Sequence, residues 1–129
     1  MNTTGKPILV IDDDDSIRSL LSVHLRQEGY RAETAESGRE GLAKARALKP
    51  DLILLDVALP DISGLETLQE LKKDPALAAI PVVILSGYPL NQGTNVFLEA
   101  GAAAFLTKSF KLKNVIAQCL SFISGEADD

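Results

Sequence analysis

Four short apolar runs, each followed by polar or charged residues, limit most strongly how this chain can fold. They are Ile8–Ile11, Leu52–Leu55, Val82–Leu85, and Phe105–Leu106 after the alanines at 102–104. All are apolar at consecutive positions, the pattern of strands covered on both faces. A weaker candidate, Tyr30–Thr34, alternates polar and apolar residues as an edge strand does. Between them lie segments of helical period. Ser16–Glu28 aligns Ile17, Leu20, Leu21, His24 and Leu25, and Ser37–Leu48 carries Leu42, Ala43 and Ala45. Ser63–Lys73 aligns Leu65, Leu68 and Leu71, and Leu112–Ile123 aligns Leu112, Ile116, Cys119, Leu120 and Ile123. Asn91–Ala100 is the poorest helix, with Gly93, Thr94 and Asn95 at its start. Gly29 and Pro50 are stop signals, and Ser37, Ser63 and either Asp14 or Asp15 can cap helix starts. Strand–helix alternation repeated five times implies an α/β fold, a parallel sheet with helices on both faces.

In such a sheet, ligands bind outside the carboxyl ends of the strands. Asp12 and Asp13 follow the first run, Asp56 the second, Ser86 and Gly87 the third, and Thr107 and Lys108 the fourth. Each group alone has a plain explanation: an aspartate after a strand is commonly a helix cap, and a lone lysine is commonly a solvated one. Together they place three carboxylates, a hydroxyl and an ammonium on one rim. Three carboxylates that close must hold protons or bind a cation. Oxygen ligands without His or Cys indicate a hard cation, Mg²⁺ before Ca²⁺. A hydroxyl and an ammonium beside it suit a phosphoryl group, whose oxygens need donors as well as metal.

Composition narrows the class further. The 129 residues carry 13 Lys and Arg against 18 Asp and Glu, a formal charge of −5, which argues against direct nucleic-acid binding. The length suits one domain, and the single Cys excludes an internal disulfide. No apolar run approaches the roughly 18 residues of a membrane span, and MNTTGKP lacks a secretory core. The expected setting is cytoplasmic, without membrane insertion.

The segments ILVIDDDDSIRSLL at 8–21, DLILLDVALPDISGLE at 51–66, PVVILSGY at 81–88 and AGAAAFLTKSF at 100–110 occur in an order and spacing that is specific. In these segments the chain resembles the receiver domain of bacterial two-component response regulators, of the stand-alone type seen in chemotaxis regulators. The resemblance implies a single doubly wound, flavodoxin-like domain over residues 6–123, with strand order 2-1-3-4-5, five helices, and tails at 1–5 and 124–129. It implies that Asp56 accepts a phosphoryl group from a histidine kinase or histidine phosphotransfer protein. Asp13 would ligate Mg²⁺ directly and Asp12 chiefly through water, with Asp56 and the backbone carbonyl of Ala58 as further ligands and Mn²⁺ as a substitute ion. Lys108 would pair with a phosphoryl oxygen, Ser86 would move to bond another, and Phe105 would rotate with it. The surface of the fourth helix, fifth strand and fifth helix would then meet a downstream protein or a second copy of the chain.

Two other readings stay open. A pseudo-receiver would keep the fold and bind partners without phosphorylation. A hydrolase forming an aspartyl-phosphate would usually carry a second Asp two residues after the nucleophile, where this chain has Ala58, which cannot transfer a proton. The sharpest departure from the family is Ser109, which stands where a proline usually follows the matching lysine through a cis peptide. Phe110 and the helix after it keep the usual spacing, so a cis Lys108–Ser109 bond is expected here too. Tyr88 is either a rim aromatic or an influence on acyl-phosphate lifetime. His24 reads as a packing residue at a helix edge, and Cys119 as a small core residue. The last helix is apolar over roughly 160° of its circumference, wider than the roughly 100° stripe a core needs.

Overall fold

The computed structural model describes residues 6–87, 94–107 and 111–124. Five strands, β1 (Ile8–Ile11), β2 (Ala32–Ala35), β3 (Leu52–Asp56), β4 (Val82–Ser86) and β5 (Ala104–Thr107), alternate with five helices. The helices are α1 (Asp15–Gln27), α2 (Gly38–Leu48), α3 (Gly64–Lys73), α4 (Thr94–Glu99) and α5 (Leu112–Ser124). All strand pairs are parallel, in the order β2-β1-β3-β4-β5. This is the doubly wound, flavodoxin-like architecture expected above.

Successive side chains of a strand point to opposite faces, so each apolar run supplies two cores at once. Ile8, Val10, Leu52, Leu54, Val83 and Leu85 join Leu21 and Leu25 of α1 and Val115, Ile116 and Cys119 of α5 on one face. Leu9, Ile11, Ile53, Leu55, Val82 and Ile84 join Leu42, Leu68 and Leu71 of α2 and α3 on the other. Cys119 is fully buried, and burial pushes its thiol up to about 12. His24 is half-buried at the edge of α1.

Helix starts follow the local chemistry. Asp14 is the N-cap of α1 and accepts from Ser16 N–H (2.8 Å) and Ile17 N–H (3.1 Å), leaving Asp15 as the first helical residue. Ser63 and Glu66 form a reciprocal capping box on α3, with N–H to oxygen distances of 3.1 and 3.2 Å.

Four expectations need correction. The second strand begins at Ala32, because Tyr30 N–H still donates to Leu25 O of α1 (3.0 Å) and pairing starts at Ile8↔Ala32. β5 is half-buried at all four positions rather than covered on both faces, since it pairs with β4 alone and forms the second edge. In α2, Ala43 is exposed while Gly38 and Gly41 face inward. In α1, Leu20 is 49 % exposed and Ser22 takes the inward position. Leu20 and Ser22 lie about 160° apart around a helix, so only one can face the sheet. Arg18 points inward with Ser22, and its Nη1 donates to Asp12 O (2.8 Å). Of the fourth helix, residues 91–93 lie outside the described residues, and α4 spans Thr94–Glu99. In α5 the wide apolar face is mostly core: Val115, Ile116, Cys119 and Leu120 are buried, and Phe122 is exposed.

The Ser22 hydroxyl is buried and is the one buried side-chain polar atom among the described residues without a hydrogen-bond partner. An unpaired buried hydroxyl costs desolvation free energy, and Ala is the better helix former. Ser22→Ala should therefore raise stability by about 1 kcal/mol, read as a higher urea midpoint at unchanged slope.

Candidate functional site

Strand order reverses between β1 and its two neighbours β2 and β3, which opens a crevice at the carboxyl ends of β1 and β3. Ile11 pairs with Leu55, so the next positions along the two strands are Asp12 and Asp56. Both carboxylate residues are buried, and Asp13 beside them is exposed. One carboxylate oxygen from each of Asp12, Asp13 and Asp56 lies within 4.8 Å of the other two. Asp12 is held firmly: its N–H donates to Ala35 O (3.1 Å), its carbonyl accepts from Arg18, and its Oδ1 accepts from Asp14 N–H (3.0 Å). The Arg18 guanidinium also pairs with Asp15.

The other residues picked out in the sequence fall as follows. Ser86 is the last residue of β4, one step past the Leu85 that pairs with Asp56, and is buried. It pairs with Thr107 on β5. Ala58 is exposed, two residues beyond β3. Phe105 is half-buried on β5, its ring 5.4 Å from that of Phe97 on α4 and tilted by 52°. Lys108, Ser109 and Tyr88, with the expected cis bond, lie outside the described residues.

Two residues that sequence patterns did not single out shape the loop between Asp56 and α3. Gly64 N–H donates to Val57 O (2.8 Å), and a Cβ at Gly64 would lie 2.4 Å from Asp56 O and 2.8 Å from Val57 Cα. Asp61 accepts from Ile62 N–H (2.7 Å), Gly38 N–H (2.9 Å) and Arg39 N–H (2.9 Å), the last two at the start of α2. Desolvation pushes its carboxyl up, but the Arg39, Ile62 and Gly38 donors outweigh this and hold it down to about 2. A carboxyl lowered on folding stabilises the fold above its ordinary value of 3.8 and ceases to as pH falls through that value toward about 2. Asp61→Asn should therefore lose less stability than the wild type over that same fall, measured as urea midpoints from pH 4 downward.

The residues present fit a hard divalent cation: three carboxylates, two of them buried, share a space too small for three unbalanced charges, and every ligand atom is oxygen. The family model described as the response regulator receiver domain matches residues 8–119. This chain belongs to that family.

Among curated relatives, the DNA-binding dual master transcriptional regulator RpaA of Synechocystis is 39% identical over 111 residues, covering 86% of this chain and 46% of RpaA. The chain spans about half the length of the curated relatives it matches. Among solved structures, the chemotaxis response regulator CheY4 of Vibrio cholerae superposes with a TM-score of 0.85 at 29% identity, over 92% of this chain and 98% of that one. The response regulator TrrA of Thermotoga maritima, solved in complex with Mg²⁺-BeF, gives 0.81 at 34% identity, over 92% and 99%. The chain thus carries a receiver domain typical of phosphorelay response regulators, with a clustered aspartate triad at its rim. Among the described residues, no helix is long and apolar enough to cross a membrane.

Proposed function

We propose that residues 6–123 form a receiver that takes a phosphoryl group onto Asp56 from a histidine kinase or histidine phosphotransfer protein. The reading is carried by the meeting of Asp12, Asp13 and Asp56 at the strand-order reversal. An Asp56 oxygen forms a bond to phosphorus while the bond from phosphorus to the donor's imidazole nitrogen breaks. That nitrogen takes a proton, and Asp56 becomes an acyl phosphate. Such transfer needs little covalent assistance, so positioning and charge neutralisation carry it. Asp12, Asp13, Asp56 and the Ala58 carbonyl would hold Mg²⁺, or Mn²⁺ in its place. The ion, when bound, supplies positive charge where negative charge gathers on the phosphoryl oxygens.

Lys108 would neutralise one phosphoryl oxygen, and Ser86 would donate its hydroxyl to another. The added charge and acceptor oxygens give the β4–α4 segment something new to bind. Phe105, in contact with Phe97, would carry that change to the surface of α4, β5 and α5, where a downstream protein or a second copy of the chain would dock. The acidic balance argues against direct contact with nucleic acid, and the expected setting is the cytoplasm.

Incubation with a small phosphodonor tests the reading: the intact mass should rise by one phosphoryl group with Mg²⁺ and stay constant when a chelator is present. A mass that never rises would favour the pseudo-receiver. Steady release of inorganic phosphate over many fast turnovers would favour the hydrolase.

A further inference from the structure

The Asp61 carboxylate joins two parts of the molecule that lie 22 to 23 residues apart in the chain. Helix α2 already has a cap of its own, since Ser37 Oγ accepts from Glu40 N–H (3.1 Å). Asp61 satisfies two more N–H groups of the same first turn, Gly38 and Arg39. The Arg39 guanidinium lies 3.9 Å from the carboxylate and adds an ion pair. The seam around this contact is tight. A Cβ at Gly38 would lie 2.5 Å from Ile62 Cγ1 and 2.5 Å from Thr67 Oγ1, so the loop and the start of α2 meet without room for a side chain.

The loop between β3 and α3 is therefore tied down twice. Its first residue, Val57, is held through its carbonyl by Gly64 N–H, and Asp61 and Ile62 are seated on α2. Ala58 lies between these ties, separated from Asp61 by Leu59 and Pro60 alone. The proline ring fixes φ near −65° and stiffens that link. Leu59 is half-buried against the core that α2 and α3 share. The Ala58 carbonyl is thus a backbone group on a short segment with little freedom left.

We infer that Asp61 is a positioning residue for the metal subsite: by gripping the first turn of α2, it holds the β3–α3 loop so that the Ala58 carbonyl is in place for a divalent cation. This rests on the reading above, in which Ala58 is one of the ligands. A carbonyl already held in place loses less freedom on binding than one on a loose loop. Groups that orient a ligand from behind typically change metal affinity by tenfold or more.

Calorimetric titration of the full chain with Mg²⁺ tests the inference on four proteins: the wild type, Asp61→Ala, Asp61→Asn and Ser37→Ala. Ser37→Ala removes an acceptor from the same helix end without touching the loop, so it reports simple loosening of α2. Asp61→Ala should weaken Mg²⁺ binding about tenfold, Asp61→Asn by a smaller factor because one acceptor oxygen remains, and Ser37→Ala not at all. Should Asp61→Ala fail to fold, Asp61→Asn carries the comparison. Wild-type affinity in both Asp61 variants overturns the inference and leaves the carboxylate triad as the metal site. Equal weakening by Ser37→Ala overturns it as well, because the effect would then be that of a frayed helix. A wild type that binds no Mg²⁺ overturns the proposed metal site and this inference together.

Discussion

Asp56→Asn should show no mass increase with Mg²⁺ and a small phosphodonor, while the metal-free variant is more stable than the metal-free wild type. The two effects have one origin. An amide has no anionic oxygen to attack phosphorus, so the step that forms the acyl phosphate is lost outright. The same change removes one of three carboxylates whose oxygens lie within 4.8 Å of each other, a crowd that without a cation must either repel or hold protons. At that spacing a like-charge pair repels by about 1 kcal/mol in water and by about 3 kcal/mol at an effective dielectric constant near 20. Asp12 and Asp56 are both buried, so the gain should fall within this range, about 1 kcal/mol or somewhat more. Added Mg²⁺ should then stabilise the wild type more than the variant, because the variant offers one fewer anionic ligand. Intact mass and urea midpoints with and without Mg²⁺ measure both parts. Phosphorylation of Asp56→Asn at the wild-type rate would place the acceptor elsewhere. A lower metal-free midpoint would mean that Asp56 is a net stabiliser and not one of three crowded charges.

Gly64→Ala should destabilise the protein by about 3 kcal/mol, a large share of the stability of a domain this size. Inside a helix, alanine is ordinarily better than glycine by about 1 kcal/mol, and at the first helical position the preference has the same sign. Here the added Cβ would meet Asp56 O at 2.4 Å, Val57 Cα at 2.8 Å and Val57 O at 2.8 Å. These are main-chain atoms of β3 and its exit, and no rotamer change can move them aside. Relief requires α3 to back away, which breaks the Gly64 N–H to Val57 O bond and lifts Leu68 and Leu71 from the core. Overpacking of this kind typically costs 1–3 kcal/mol, and lost core contact adds to it, so a total loss of about 3 kcal/mol is expected. Whatever fraction stays folded should phosphorylate slowly, because the clash lies on the carbonyl of Asp56 itself. A urea midpoint at or above the wild-type value would show that the loop has slack that these distances deny.

The sheet and the acidic triad could be read from the chain because their signals are local. Ile8–Ile11 and Leu52–Leu55 are apolar without a break, and the aspartates that end them interrupt a pattern a few residues long. What escaped reading depends on partners far away in the chain. Asp61 looks like a turn residue until the N–H groups of Gly38 and Arg39 are brought to it, and Gly64 looks like a weak helix start until Asp56 O is seen beside it. Leu20 misled for a related reason. Hydrophobic periodicity counts apolar residues, whereas α1 is turned so that Arg18 reaches Asp12 O and Ser22 follows it inward. β5 has the composition of a covered strand and the place of an edge strand; the strand order implied by the resemblance carried that place, and the local apolar run did not.

The sheet also acts as a partition. Leu54 and Leu55 are neighbours in the chain, yet one belongs to the interior under α1 and α5 and the other to the interior under α2 and α3. Substitutions more than about 7–10 Å apart that share no contact partners add with little coupling, so changes away from the strands in one interior can be accepted with little reference to the other. One flank of such a molecule can drift toward a new partner while the opposite flank keeps its old shape. The strand ends at Asp12 and Asp56 border both interiors, and there a change on either side is felt by the chemistry.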